Sequence, residues 1–148
     1  MAVMVGKRGK ITVGTSGTKE MYLSSWALNQ PGPDLIDATK FQDEWKQYVP
    51  SAKDGGTVTI SGNFDWESTG QQKMIAYFTS AINLTAASSF RLWMDDSTST
   101  TGAGYFKFST DCEAIIQTFN VGQDKSGLGT MDMTLKLTGG HMGYSTTT

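Results

Sequence analysis

The chain has 148 residues, and 12 Lys and Arg against 14 Asp and Glu leave a net charge of −2. That balance argues against tight, charge-driven nucleic-acid binding, which needs a basic face to displace counterions. The single cysteine, Cys112, excludes an internal disulfide framework and fits a reducing compartment.

Length alone predicts one domain over 1–148, able to bury roughly two thirds of its unfolded surface without metal or disulfide. The opening MAVMVGKRGK sets its charges after a very short apolar start, the wrong order for a secretory signal. No apolar run approaches the ~20 residues of a membrane span, so a soluble, non-secreted protein with no membrane insertion is expected. The 17 glycines and 3 prolines amid many Thr and Ser predict a β-rich chain with many turns. Charged residues make up 18%, against about a quarter in ordinary soluble domains. A surface so poor in charge suits a protein whose outside largely meets other protein.

Lys10–Val13 reads as a first strand, ended by the turn residues GTSGT over 14–18. Glu20–Asn29 follows as a strand apolar on both sides, with Tyr22, Trp26 and Leu28 on one face and Met21, Leu23 and Ala27 on the other. It is expected at the centre of a sandwich. The stretch 30–56, QPGPDLIDATKFQDEWKQYVPSAKDGG, has no clean period; Pro31 and Pro33 break a strand at its start and DGG closes it. Phe41, Trp45, Tyr48 and Val49 fall at helical spacing and predict a short helix over 40–48. Aromatic residues on so long an excursion either fold back on their own domain or dock on a neighbouring subunit.

Thr57–Trp66 alternates, sending Val58, Ile60, Phe64 and Trp66 one way and Thr57, Thr59, Ser61, Asn63 and Asp65 the other. The period then becomes helical. Ser68 or Thr69 serves as cap, and Met74, Ile75, Phe78 and Ile82 form the apolar stripe of a helix over about Gln71 to Ala81. Ser89–Asp96 reads as a strand with Phe90, Leu92 and Met94 inward, and 97–104 as a turn. Tyr105–Asn120 is a long strand or bent pair, with Phe106, Phe108, Cys112 and Ala114 set against Lys107, Asp111 and Glu113. TMDMTLKLTG alternates most cleanly, with Met131, Met133, Leu135 and Leu137 in and Asp132, Thr134 and Lys136 out. Residues 1–9 read as a flexible arm and 139–148 as a flexible tail. About seven strands without βαβ rhythm predict a mainly β fold. The expected form is an antiparallel β-sandwich or barrel with one flanking α-helix and a long early loop.

Catalytic chemistry finds little footing. His141 is the lone histidine and lies in a glycine-rich segment, whereas nucleophilic catalysis needs rigid geometry. One Cys and one His cannot make a zinc site. No phosphate loop occurs, and the glycines of TGAGYF and KSGLGT lack the following helix of a dinucleotide site. Asp95 and Asp96 are too few oxygen ligands for calcium. Asp65 and Glu67 share one side of an extended strand, as a glycosidase pair would, but Trp66 points away from them. Carboxylates at a helix mouth also have an electrostatic use, worth about 0.3–1 kcal/mol. The capping reading is preferred. NLT at 83–85 matches a glycosylation acceptor, incidental without secretion. No metal, cofactor or catalytic residue is expected.

The ordered set VTISGNFDW, GQQ, KMIAYF, FRLWMD and DKSGLGTMDMTLKLTG resembles the major tail tube proteins of long-tailed bacteriophages, over about 10–140. IDATKFQDEWKQYVP is similar to that family's long loop between early strands. The resemblance implies hexameric rings stacked into a hollow virion tube, assembled in the host cytoplasm. Sheets of neighbouring subunits would join around a channel, which removes exposed sheet edges. The partners implied are further copies of the chain, a tape-measure protein, and tail terminator and tail-tip proteins. DNA would pass without sequence-specific binding, through a lumen whose candidate lining is Thr59, Ser61, Asn63, Asp65, Asp111 and Glu113. Lys107 and Lys136 lie on comparable faces and speak against a purely acidic lining. Ile36, Asp37, Thr39, Phe41, Trp45 and Tyr48 would form the inter-ring loop. The alternatives are a monomeric β-sandwich binding or decoration module, and the tube protein of a contractile tail or type VI secretion system.

Overall fold

The structure is a computed structural model and describes residues 9–14, 19–94 and 104–146. In chain order the strands are β1 (Lys10–Val13), β2 (Lys19–Glu20), β3 (Ser25–Asn29), β4 (Leu35–Asp37), β5 (Tyr48–Pro50) and β6 (Thr57–Asn63). Helix α1 (Thr69–Thr79) and a 3-10 turn (Ala86–Ser88) follow, then β7 (Arg91–Trp93), β8 (Gly104–Phe108), β9 (Glu113–Gly122), β10 (Thr130–Thr138) and β11 (Met142–Thr146). One sheet has the order β11-β8-β7-β1-β2, a second β3-β6-β10-β9, and β4 pairs with β5 alone. All recorded pairings are antiparallel. The fold is therefore mainly β with one helix, and no closed barrel forms among the described residues.

The two large sheets meet in one apolar cluster. Ile11, Val13, Leu92, Phe108 and Met142 come from the five-stranded sheet, and Val58, Ile60, Met131, Met133, Leu135 and Leu137 from the four-stranded one. The strict alternation of β10 is why its four inward residues are all buried while Asp132 and Thr138 stay exposed. Burying one such side chain contributes about 1.5–3 kcal/mol. Along β9 the register shifts opposite Thr134 and Leu135, so that Gln117 is an inserted residue between Ile116 and Thr118.

Several expectations are corrected. The stretch from Glu20 to Asn29 is two strands in different sheets, because Tyr22 turns the chain at φ 55° between β2 and β3. The helix expected over 40–48 is instead the turn of the β4–β5 hairpin. There Asp43 Oδ2 accepts the Lys40 N–H at 2.8 Å and Thr39 Oγ1 accepts the Gln47 N–H at 3.0 Å, local bonds that compete with helix. Strand β6 stops at Asn63, leaving Trp66 exposed rather than inward.

Helix α1 begins and ends two residues earlier than expected and buries Gly70, Gln71 and Met74, while Phe78 and Ile82 are exposed. Tyr105–Asn120 splits into β8 and β9, on different sheets, with Asp111 in the turn between them. The expected tail contributes β11, whose Met142 is buried and pairs with Phe108. Asp95, Asp96, residues 1–8 and most of 97–104 lie outside the described residues.

The motif GNFDWESTGQQ works as a fastening. Ser68 caps α1, its Oγ accepting the Gln71 N–H at 3.4 Å and donating to the Glu20 carbonyl at 3.1 Å. The wholly buried Gln71 side chain donates to the carbonyls of Met21 at 2.7 Å and Asn63 at 3.1 Å, and accepts the Asp65 N–H at 2.9 Å. Gly70 is required beside it, since a Cβ there would stand 2.7 Å from the Glu20 carbonyl oxygen.

Candidate functional site

The outward face of the four-stranded sheet is built by alternation. Strand register sets Ser25, Ser61, Asp132 and Asn120 in one row, and Ala27, Thr59, Thr134 and Thr118 in the next. Asn29, Thr57, Lys136 and Ile115 form a third, and Thr138 stands opposite Glu113. Only Glu113, Asp132 and Lys136 are charged in these four strands. Apart from Ala27 and Ile115 the rest is hydroxyl and amide, some of it bonded within the face: Ser25 and Ser61 hydroxyls lie 2.6 Å apart and Asn120 Nδ2 donates to Asp132 Oδ1 at 3.0 Å.

Lys136 is not a free cation, because its ammonium sits 2.7 Å from Asp54 Oδ1. That hydrogen bond, with the Gly56 N–H second, holds the Asp54 carboxyl below the usual carboxylate range. Lys107 lies on the other sheet, opposite Arg91.

Of the expected lining residues, Thr59, Ser61 and Asn63 share this face and Glu113 begins its edge strand. Asp65 does not; it stands past the end of β6, and its Oδ1 accepts the Glu67 N–H at 3.0 Å. Asp111 lies in the turn before β9. Strands β3 and β9 are the edges of the sheet. Leu84 pairs with Ala114 at one end of β9 through bonds of 2.9 and 2.8 Å.

The second surface is the β4–β5 hairpin, in which every residue over 34–50 is exposed. Phe41 is 109% and Trp45 79% exposed, so the hairpin does not fold back on its own domain. Ile36 pairs with Val49 and Asp37 with Tyr48. The turn is organised by its own polar groups: the Ala38 N–H reaches the Gln47 carbonyl at 2.9 Å, and the Thr39 N–H reaches Asp37 Oδ1 at 2.9 Å. Bonds from Thr39, side chain first and backbone second, hold the Asp37 carboxyl below its ordinary range.

At the hairpin's foot a cleft of about 710 Å³ is lined by Lys53, Asp54, Lys136 and His141, among others. His141 is exposed, and its carbonyl accepts the Ser109 N–H at 3.1 Å. Among the described residues no three His, Cys, Asp or Glu side chains converge to hold a metal. Burial, with the Glu113 charge second, pushes the Cys112 thiol up and keeps it protonated.

Sequence reasoning overlooked Gln71 and Tyr22. The GQQ of the quoted motif was the available signal for Gln71; nothing in spacing marks Tyr22.

No family profile matches the chain, and none of the curated proteins compared is similar to it. Solved structures are similar in fold. One is the PVC sheath/tube terminator of an extracellular contractile injection system in its extended state. It is 11% identical with TM-score 0.68, over 98% of this chain and 98% of that one. Another is from the virion of a native gene transfer agent particle, 11% identical with TM-score 0.66, over 97% of this chain and 99% of that one. A third is the SPP1 tail tube, 9% identical with TM-score 0.62, over 98% of this chain and 79% of that one. At such identities the likeness establishes a shared fold, that of tail tube proteins.

Proposed function

We propose that the chain is a structural subunit of a bacteriophage tail tube, assembling into stacked hexameric rings and carrying out no catalysis. The observation that carries this reading is the four-stranded sheet, with its hydroxyl-rich face of few charges and its two edge strands at either side. Joining β9 of one copy to β3 of the next makes the sheet continuous and places the hydroxyl face around a common channel. DNA and a tape-measure protein pass or rest there without being gripped, since hydroxyls and amides displace no counterions from phosphate. Asp132 and Glu113 repel the phosphates and Lys136 is neutralised by Asp54. The hairpin, bearing Ile36, Asp37, Thr39, Phe41, Trp45 and Tyr48, reaches the adjoining ring. Its exposed aromatics supply the apolar anchor that stacking needs. Tail terminator and tail-tip proteins close the two ends, and the assembled tube belongs to a virion.

The similar structures from contractile injection systems favour a second reading, the tube of a contractile tail. Size-exclusion chromatography with negative-stain microscopy of the purified protein is the test. Rings and tubes are expected. A strict monomer at millimolar concentration would refute the tube and favour a decoration module.

A further inference from the structure

The outward face of the five-stranded sheet differs in chemistry from the hydroxyl face. Across β2, β1, β7, β8 and β11 the register sets Glu20, Thr12, Arg91, Lys107 and Gly143 in one row. The row beside it holds Lys10, Trp93, Tyr105 and Ser145. Two cations, Arg91 and Lys107, therefore stand directly opposite each other on neighbouring strands. Like charges so placed destabilise a sheet, because their Cβ atoms are only about 5 Å apart. Among the described residues no carboxylate forms an ion pair with either of them. Glu20 is two strands from Arg91, about 10 Å away. Asp111 lies beyond Thr110 in the turn before β9.

The repulsive pair is nonetheless held in place. The Arg91 guanidinium lies 4.6 Å from the centre of the Tyr105 ring. That ring is 4.6 Å from the ring of Trp93, whose Nε1 donates to Thr12 Oγ1 at 2.9 Å. Trp93 and Tyr105 form an apolar cluster of their own, apart from the core. Arg91 is thus half-buried and oriented, while Lys107 is exposed. Beside them opens a hollow of about 430 Å³, lined also by Ser89, Ser109 and Thr110, and none of its lining residues is acidic. Ser89 holds φ 53°, a left-handed conformation uncommon outside glycine and found where a ligand is clamped.

We propose that this hollow binds a single phosphate-type oxyanion, seated between Arg91 and Lys107. Arg91 offers a planar fork of N–H donors, Lys107 a point charge, and the hydroxyls of Ser89, Ser109 and Thr110 further donors. The anion removes the repulsion between the two cations and adds charge-assisted bonds to both. One phosphate fits, and a nucleic-acid backbone does not. The pair is flanked by the uncharged Thr12 and Gly143, and the row ends in Glu20, which repels a chain of phosphates. The site lies on the sheet opposite the hydroxyl face and is independent of the tube reading.

Dilute, unassembled protein titrated with inorganic phosphate at constant ionic strength tests it, with NMR shifts at the Arg91 and Lys107 amides as the readout. Saturable shifts are expected, with a dissociation constant of about 1 mM or tighter. Arg91→Met and Lys107→Met should each weaken binding about tenfold or more. Lys107 is exposed, so its variant keeps the test decisive even should Arg91→Met fail to fold. Shifts that grow without saturating, or that persist unchanged in Lys107→Met, would overturn the site.

Melting supplies a second readout. Without phosphate, Lys107→Met should melt no lower than the unaltered chain, since it relieves the repulsion; a lower melting point would overturn the premise. With phosphate, the unaltered chain should gain more than the variant. An equal gain in both is the general stabilisation that phosphate gives any protein, and refutes specific binding. Acetate, standing for an Asp or Glu side chain of another protein, should bind about tenfold more weakly or less. Equal affinity for acetate would overturn the assignment to phosphate.

Discussion

Replacing Gln71 by leucine isolates the fastening at the start of α1 from the packing around it, because the two side chains are close in size. The substitution removes three hydrogen bonds. The bond to the Met21 carbonyl is buried, and its unsatisfied oxygen costs about 2 kcal/mol. Those to Asn63 and Asp65 lie where water reaches, and together cost about 1 kcal/mol. The expected loss is therefore about 3 kcal/mol, which lowers the melting temperature by roughly 6–12 °C in a chain of this size. Urea unfolding followed by tryptophan fluorescence, on dilute unassembled protein, measures it. Gln72→Ala is the control, since Gln72 is exposed and reaches only the Trp66 carbonyl; it should change stability by less than about 0.5 kcal/mol. A Gln71→Leu loss below about 1 kcal/mol would refute the assignment of this residue as the tie between helix and sheet.

Three further outcomes are expected. Leu135→Ala, at a fully buried site of β10, should cost about 2–5 kcal/mol in the same unfolding assay. Cys112, buried and with its thiol pushed up, should react with a thiol reagent only as the protein unfolds, so that labelling follows the urea transition; prompt labelling of the folded chain would contradict its burial. The depressed Asp54 carboxyl means that the Lys136 pair contributes above the ordinary carboxylate value and is lost as pH falls through the lower, folded-state midpoint. An NMR titration should find that midpoint low, and Lys136→Met should move it upward.

What was legible in the chain was what local periodicity controls. Strand β10 alternates over its whole length, and the structure places it as expected because burial of one face enforces that pattern. The change of period after Trp66 announced α1, and its displaced start follows from Ser68 being the cap. The features that escaped depend on contacts distant in sequence. Glu20–Asn29 reads as one strand apolar on both faces, and only the pull of two sheets divides it at Tyr22. Aromatic spacing over 40–48 imitated a helix, whereas Asp37, Thr39 and Asp43 bind the backbone locally and make a turn. Residues 142–146 look like a tail until β8 offers them a partner. On the polar face, Thr59, Ser61 and Asn63 were readable from one strand. Lys136 could not be seen as neutralised, since Asp54 lies 82 residues away.

The inserted Gln117 on β9 has a geometric consequence for any ring these sheets close into. Strand β9 carries one more residue than the stretch of β10 it follows, and a strand longer than its neighbour makes a sheet curl and twist more strongly at that point. Because the shift leaves Ala114, Ile116, Phe119 and Val121 on one side and Thr118 and Asn120 on the other, chemistry and curvature are set separately. A chain lacking Gln117 would present the same side chains on each face of a flatter wall. In the tube proposed above, the curvature of the wall at β9 would then turn on this one inserted residue.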